Sequence, residues 1–104
     1  MILSDLRMRV RGGKAAELQS IFDRHEIFEK AIKVPGCMEL FMVISEDDAD
    51  EVRVIGLWED RDSYQRWMDH PERGSAGDEI VEVLDMDFDV TAPASISNVV
   101  REKR

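Results

Sequence analysis

Three aromatic side chains with polar edges, Trp58, Tyr64 and Trp67, fall within ten residues of one another. They are the chain's entire Trp and Tyr content, and only four Phe accompany them. In an apolar cleft, an indole N–H and a phenol O–H are natural donors to a carbonyl, or to the oxyanion left when an aromatic substrate loses a proton. The same three side chains also read as the plug of a small core, because aromatics at helical spacing most often pack. The two histidines, His25 and His70, are the candidates for moving a proton. His25 falls on an apolar stripe, where a satisfied core histidine is the competing reading; His70 precedes Pro71 and is expected in an exposed loop. Phe22, Met42, Trp67, His70 and Arg73 complete the expected substrate contacts, and Trp58, Tyr64 and His25 the expected catalytic set.

Several chemistries find no residues to carry them. There is no phosphate-cradling glycine motif, no H-E-x-x-H, no cysteine pair and no nucleophile elbow. Two histidines cannot build a histidine-rich metal centre within one subunit, and no metal site is expected. The acidic run Glu46-Asp47-Asp48-Ala49-Asp50 lacks the glycine and the distal glutamate of a calcium loop, and reads as a solvated hairpin tip. Cys37 is the only cysteine, so no intrachain disulfide is possible, and a small half-buried apolar residue is the better reading than a nucleophile.

The elements that must position these groups follow from periodicity. Residues 2–11 alternate, with Leu6, Met8 and Val10 on one face and Asp5, Arg7, Arg9 and Arg11 on the other, a period-two strand ended by Gly12-Gly13. From Lys14 to Lys33, Leu18, Ile21, Phe22, Phe28 and Ile32 recur at helical steps and predict one helix, stopped by Pro35-Gly36. A second strand is expected over Cys37–Ser45 and a third, antiparallel to it, over Glu51–Trp58. Asp60 or a neighbour then caps a helix carrying Tyr64, Trp67 and Met68, which breaks at Pro71 and Gly74. A short turn over Ser75–Glu79 leads to a fourth strand from Ile80 to Val90, with Leu84, Met86, Phe88 and Val90 alternating against Asp85, Asp87 and Asp89.

The order β-α-β-β-α-β is that of a ferredoxin-like α+β fold with a four-stranded antiparallel sheet, in which the first and last strands are neighbours. That adjacency predicts a cross-strand ladder of Arg7, Arg9 and Arg11 against Asp85, Asp87 and Asp89. The charged sheet face meets either water or a second copy of the chain, and a homodimer is expected. Residues 1–91 form the domain; 92–104 form a tail, with Pro93, Ile96, Val99 and Val100, that is expected to pack on the partner subunit.

At 104 residues the chain makes one domain. Hydrophobic residues reach 43% and charged residues 36%, the composition of a globular protein with an ionic surface. A net charge of −9 repels phosphate backbones and anionic lipid, which argues against nucleic acid or a membrane as partner. The first residues, MILSDLRMRVR, lack a long apolar stretch, and a cytoplasmic location is expected.

Val34-Pro35-Gly36 after the first helix, Leu57-Trp58-Glu59 at the end of the third strand, Tyr64 six residues after Trp58, and the break His70-Pro71-Glu72 together resemble the antibiotic biosynthesis monooxygenase domain over residues 2–90. The resemblance implies a dimeric α+β barrel, two ferredoxin-like subunits joined through their sheets. It also implies that Trp58 and Tyr64 lie near an aromatic substrate, with Val54 at the place of the family's Asn. Members include cofactor-free oxygenases of anthrone-type polyketides, quinol oxygenases and heme-degrading enzymes. Gly77 stands where the last group keeps an axial His, so heme degradation is disfavoured. The implied activity is oxidation of an anthrone- or quinol-type aromatic by O₂ with no cofactor. A non-catalytic binding or stress module of this fold, or a non-redox cyclase or isomerase, is the alternative.

Overall fold

The computed structural model describes residues 1–104. Its elements run β1 (Ile2–Arg9), α1 (Ala15–Arg24), α2 (Ile27–Ala31), β2 (Cys37–Ile44), β3 (Glu51–Trp58), α3 (Arg61–Met68), α4 (Gly77–Val83) and β4 (Ser95–Asn98). The four strands form one antiparallel sheet in the order β2-β3-β1-β4. This is the ferredoxin-like arrangement expected from the sequence. Alternation decides which side chains face the helices: Ile2, Ser4 and Met8 from β1 and Val52 and Trp58 from β3 are buried, whereas Arg7 and Arg9 between them are exposed. No helix is long and apolar enough to cross a membrane.

The single helix expected over 14–33 is two. Ile27 follows Leu18 by about two and a half helical turns, so an unbroken helix would carry it on the far side from Leu18, Ile21 and Phe22. Glu26 takes a left-handed conformation (φ 50°) that resets the phase, and Ile27 and Ala31 then turn into the core. Ile32, which the unbroken stripe would have buried, is exposed.

The second correction concerns the last strand. Residues 77–83 are helical, and the strand that borders β1 is Ser95–Asn98, taken from the segment expected to be a tail. Ile80, Val83 and Leu84 sit at helical spacing and are all buried, which settles the start of the segment as α4. Leu84 then bridges Val10, and Ser95 pairs with Asp5. Between these two points β1 advances five residues (Asp5 to Val10) and the facing chain eleven (Leu84 to Ser95), a surplus of six. The surplus leaves the sheet as an irregular strap, residues 85–94, which contains Pro93 and is closed by an Asp89–Thr91 turn.

The expected Arg–Asp ladder is therefore absent. Arg7 pairs with Glu51 at 3.0 Å, Arg9 with Asp48 at 2.7 Å, and Arg11 donates to the Glu82 carbonyl at 3.1 Å. Arg9 holds the Asp48 carboxyl below the usual carboxylate range. Only Asp85 keeps a place beside this row, its backbone N–H donating to the Arg9 carbonyl at 2.8 Å.

Two glycines are required by close approach. Gly36 (φ 92°) carries the turn after α2, and a Cβ there would lie 1.9 Å from Ser63 Oγ, so glycine is what lets α3 dock against this turn. At Gly56 a Cβ would lie 2.6 Å from Trp58 Nε1 and 2.8 Å from Ser4 Oγ; the indole lies in the space a side chain would fill. Asp60 caps α3 as expected, accepting from the Ser63 N–H at 2.8 Å and the Ser63 hydroxyl at 2.7 Å.

Candidate functional site

The space between the sheet and its helices holds a cavity of about 70 Å³. Its floor is the inner face of the sheet, Leu6 and Met8 of β1, Leu40 of β2 and Val54 of β3. Phe22 of α1 and Ile27, Phe28 and Ala31 of α2 form one wall; Trp67 of α3 and Ile80 of α4 form another. Phe88 and Val90 of the strap close it. Every lining residue is hydrophobic except Arg73.

Arg73 follows the turn after α3, and its Nη1 donates to the carbonyl of Val90 in the strap. It makes no ion pair with a carboxylate, and its burial pulls its pKa below the usual arginine range. An arginine keeps its proton even so. The cavity therefore contains a fixed positive charge whose only protein partner is a neutral carbonyl. Arg73 is half-buried, and a partly desolvated charge without a carboxylate partner is one that an anion would relieve.

The aromatic corner is arranged differently. Trp58 is 1% and Tyr64 3% exposed, and neither lines the cavity. The Trp58 Nε1–H donates to Ser4 Oγ at 2.9 Å, and Tyr64 Oη accepts from the Ala94 N–H at 2.9 Å. The two rings meet edge to face, 5.5 Å apart at 79°, and the Arg61 guanidinium lies 5.6 Å from the Tyr64 ring centre. The Trp58 N–H expected to reach a ligand is engaged within the protein, and the Tyr64 oxygen is tied to the strap as an acceptor. Tyr64 nevertheless lies close enough to Arg73 for a charge on the phenol to favour the guanidinium.

His25 is also placed differently. It ends α1, and its Nε2 lies 2.7 Å from Glu79 Oε2 of α4, away from the cavity. This contact, with Arg24 at 3.5 Å, holds the Glu79 carboxyl below its usual range and ties α1 to α4. His70 lies outside, stacked at a tilt on Trp67 with centroids 5.5 Å apart, its Nδ1 accepting from the Glu72 N–H. Met42 borders a neighbouring surface depression that shares Phe22 and Phe28 with the cavity. Of the residues singled out in the sequence, the structure brings Phe22, Trp67 and Arg73 together around one space.

Most of the remaining lining was open to sequence reading only as core. Leu6, Met8, Leu40 and Val54 belong to inward-facing strand positions, which alternation marks as buried but not as cavity. Phe88 and Val90 lie on the apolar side of an alternating segment, a pattern that a strand shares. Cys37 is half-buried, and burial pushes its thiol up to about 11, which leaves little thiolate at neutral pH.

The family model for antibiotic biosynthesis monooxygenases matches residues 1–77. Among solved structures, the chain is similar to SnoaB, a cofactor-independent oxygenase from Streptomyces nogalater, with a TM-score of 0.74 and 18% identity over 97% of this chain and 94% of that one. It is similar to a conserved protein from Methanosarcina mazei Go1, with a TM-score of 0.74 and 18% identity over 98% and 92% of the two chains. A third is Rv0793 from Mycobacterium tuberculosis, with a TM-score of 0.70 and 14% identity over 99% and 96%. At these identities the likeness is one of fold.

Proposed function

The chain belongs to the antibiotic biosynthesis monooxygenase family, and on that premise we propose that it is a cofactor-independent oxygenase of an electron-rich aromatic of the anthrone or quinol type. The observation that carries this reading is the lone guanidinium of Arg73 in an otherwise apolar cavity. Loss of an acidic C–H or O–H proton to solvent as it enters turns such a substrate into a delocalised oxyanion, which is the species able to pass electrons to O₂. For an anthrone, one oxygen atom becomes the new ring carbonyl and the other leaves as water with the two hydrogens of the methylene carbon. Arg73 stabilises the oxyanion, and an apolar surround strengthens that interaction while excluding water. Trp67 and Phe22 pack on the rings. Trp58 and Tyr64 act from behind the wall, Trp58 by fixing Ser4 on the sheet and Tyr64 by anchoring the strap at Ala94. His25 positions α4, and through it Ile80, by its contact with Glu79.

The working unit in this proposal is a homodimer. The outer sheet face carries Phe41, Val43, Leu3, Ile55 and Leu57 around the Asp5–Arg53 pair, and Phe41 and Val43 are 42% and 37% exposed. An apolar face of this kind favours a second copy. A monodisperse monomer in light scattering at micromolar concentration would contradict it.

The activity is tested by oxygen uptake with an anthrone in chelator-treated buffer, corrected for autoxidation. Expected is protein-dependent uptake of one O₂ per quinone, with a product that gains one oxygen and loses two hydrogens. A product lighter by one water identifies a cyclase, an unchanged mass an isomerase, and an unconverted but bound anthrone a binding module.

A further inference from the structure

The cavity is too small for the ligand its lining suits. At about 70 Å³ it falls well below the roughly 300–1,000 Å³ of pockets that hold drug-sized molecules. A polycyclic aromatic can enter only if a wall moves, and the walls differ in how they are held. The floor is a hydrogen-bonded sheet and two walls are helices. The fourth wall is the strap, whose six surplus residues have no ladder partner.

The strap is fixed to the rest of the molecule at its two ends and at one internal point. At its start the Asp85 N–H donates to the Arg9 carbonyl at 2.8 Å, and the Arg9 N–H faces Met86 Sδ at 3.1 Å. At its end the Ala94 N–H donates to Tyr64 Oη at 2.9 Å. Between them the single polar tether is the Val90 carbonyl on the Arg73 guanidinium, and this is the stretch that carries Phe88 and Val90 over the cavity. Its other hydrogen bonds, from Thr91 and Ala92 to Asp89, are internal.

We infer that residues 85–94 are an anion-released lid, latched by Arg73 on the Val90 carbonyl, and that the site takes an aromatic ligand bearing an anionic group. This rests on reading the cavity as the substrate site, and names what that site selects and how it opens. An anionic oxygen is a stronger acceptor for a guanidinium than a neutral carbonyl. A ligand carrying one displaces Val90 from Arg73, and the strap swings out on its two anchored ends to make room for the rings. A neutral aromatic of the same shape has nothing to exchange for the latch and is left with the small cavity as it stands.

The test uses two inert probes with the same ring system, 8-anilinonaphthalene-1-sulfonate and the uncharged N-phenyl-1-naphthylamine. Expected is binding of the sulfonate at least about tenfold tighter in the wild type, the scale of one charge-assisted hydrogen bond. Arg73→Met removes most of that preference and Arg73→Lys keeps part of it. On the outer sheet face the cations are Arg7, Arg9 and Arg53, already paired with Glu51, Asp48 and Asp5, so probe bound there does not respond to Arg73. Carbonyl carbon-13 NMR gives a second readout that needs no variant: the sulfonate moves the Val90 carbonyl resonance, whose Arg73 donor it takes, and the neutral probe does not. Equal affinity for the two probes, a preference untouched in Arg73→Met, or a Val90 carbonyl resonance unmoved by the sulfonate would overturn the latch. These readouts stand whether or not the protein consumes oxygen, so failure of the lid and failure of the oxygenase reading are distinguishable.

Discussion

The Trp58–Tyr64 corner and the Arg73–Trp67 cavity are neighbours that divide between them the residues able to do chemistry, and they are built on opposite terms. In the corner, the Trp58 N–H donates to Ser4, the Tyr64 oxygen accepts from the Ala94 N–H, and both rings are sealed from water. In the cavity, the one polar group is a charge satisfied only by a carbonyl, facing twelve hydrophobic residues. A satisfied polar group stabilises the fold and is spent in doing so. An under-satisfied one costs stability and is available to a ligand. On the proposed reading, Trp58 and Tyr64 support the frame while Trp67 and Arg73 face the space.

That contrast makes separable predictions. Trp58→Ala empties the largest fully buried side chain and should cost about 3–5 kcal/mol, a large share of the stability of a domain this size. Chemical denaturation checks it. Arg73→Met should change stability little, because a half-buried charge held by one carbonyl is replaced by an apolar chain of similar length, while anthrone turnover falls at least about tenfold. A loss of stability like that of Trp58→Ala would place Arg73 in the frame and erase the distinction. Tyr64→Phe should cost about 1 kcal/mol and speed exchange of the Ala94 amide, whose partner it removes. The smallest effect lies outside both regions. Arg53 lowers the Asp5 carboxyl from its ordinary 3.8, so the pair's contribution is present above that value and lost as pH falls through the depressed one. Asp5→Asn should therefore flatten acid unfolding below about pH 4, by less than about 1 kcal/mol for so exposed a pair.

How much of this could be read in the chain follows the same divide between local and non-local causes. β1 and β3 were legible because alternation is local, and α3 because Asp60, Tyr64 and Trp67 mark its cap and buried side. β4 was not. Its sequence, Ser95-Ile96-Ser97-Asn98, holds one apolar residue, and it is a strand only because the edge of β1 at Ile2–Asp5 needs a partner. The stronger alternation over 84–90 was real, but it reports the side of the strap that turns Phe88 and Val90 toward the cavity, not pairing in a sheet. The break at Glu26 was visible in principle, since Ile27 is out of phase with Leu18, Ile21 and Phe22. For the site, the type of chemistry was legible in the aromatics and the direction of their polar edges was not. Arg73 stands among the expected substrate contacts, and what the sequence does not carry is its tie to the Val90 carbonyl, which depends on the strap.

The central claim is that catalysis belongs to the Arg73 cavity and that the Trp58–Tyr64 corner supports it from behind. Oxygen uptake with an anthrone, measured per folded molecule on the wild type, Arg73→Met and Trp58→Phe, tests it most directly. Expected is a fall of at least about tenfold in Arg73→Met, with Trp58→Phe within a few-fold of wild type. Full activity in Arg73→Met together with its collapse in Trp58→Phe would contradict it.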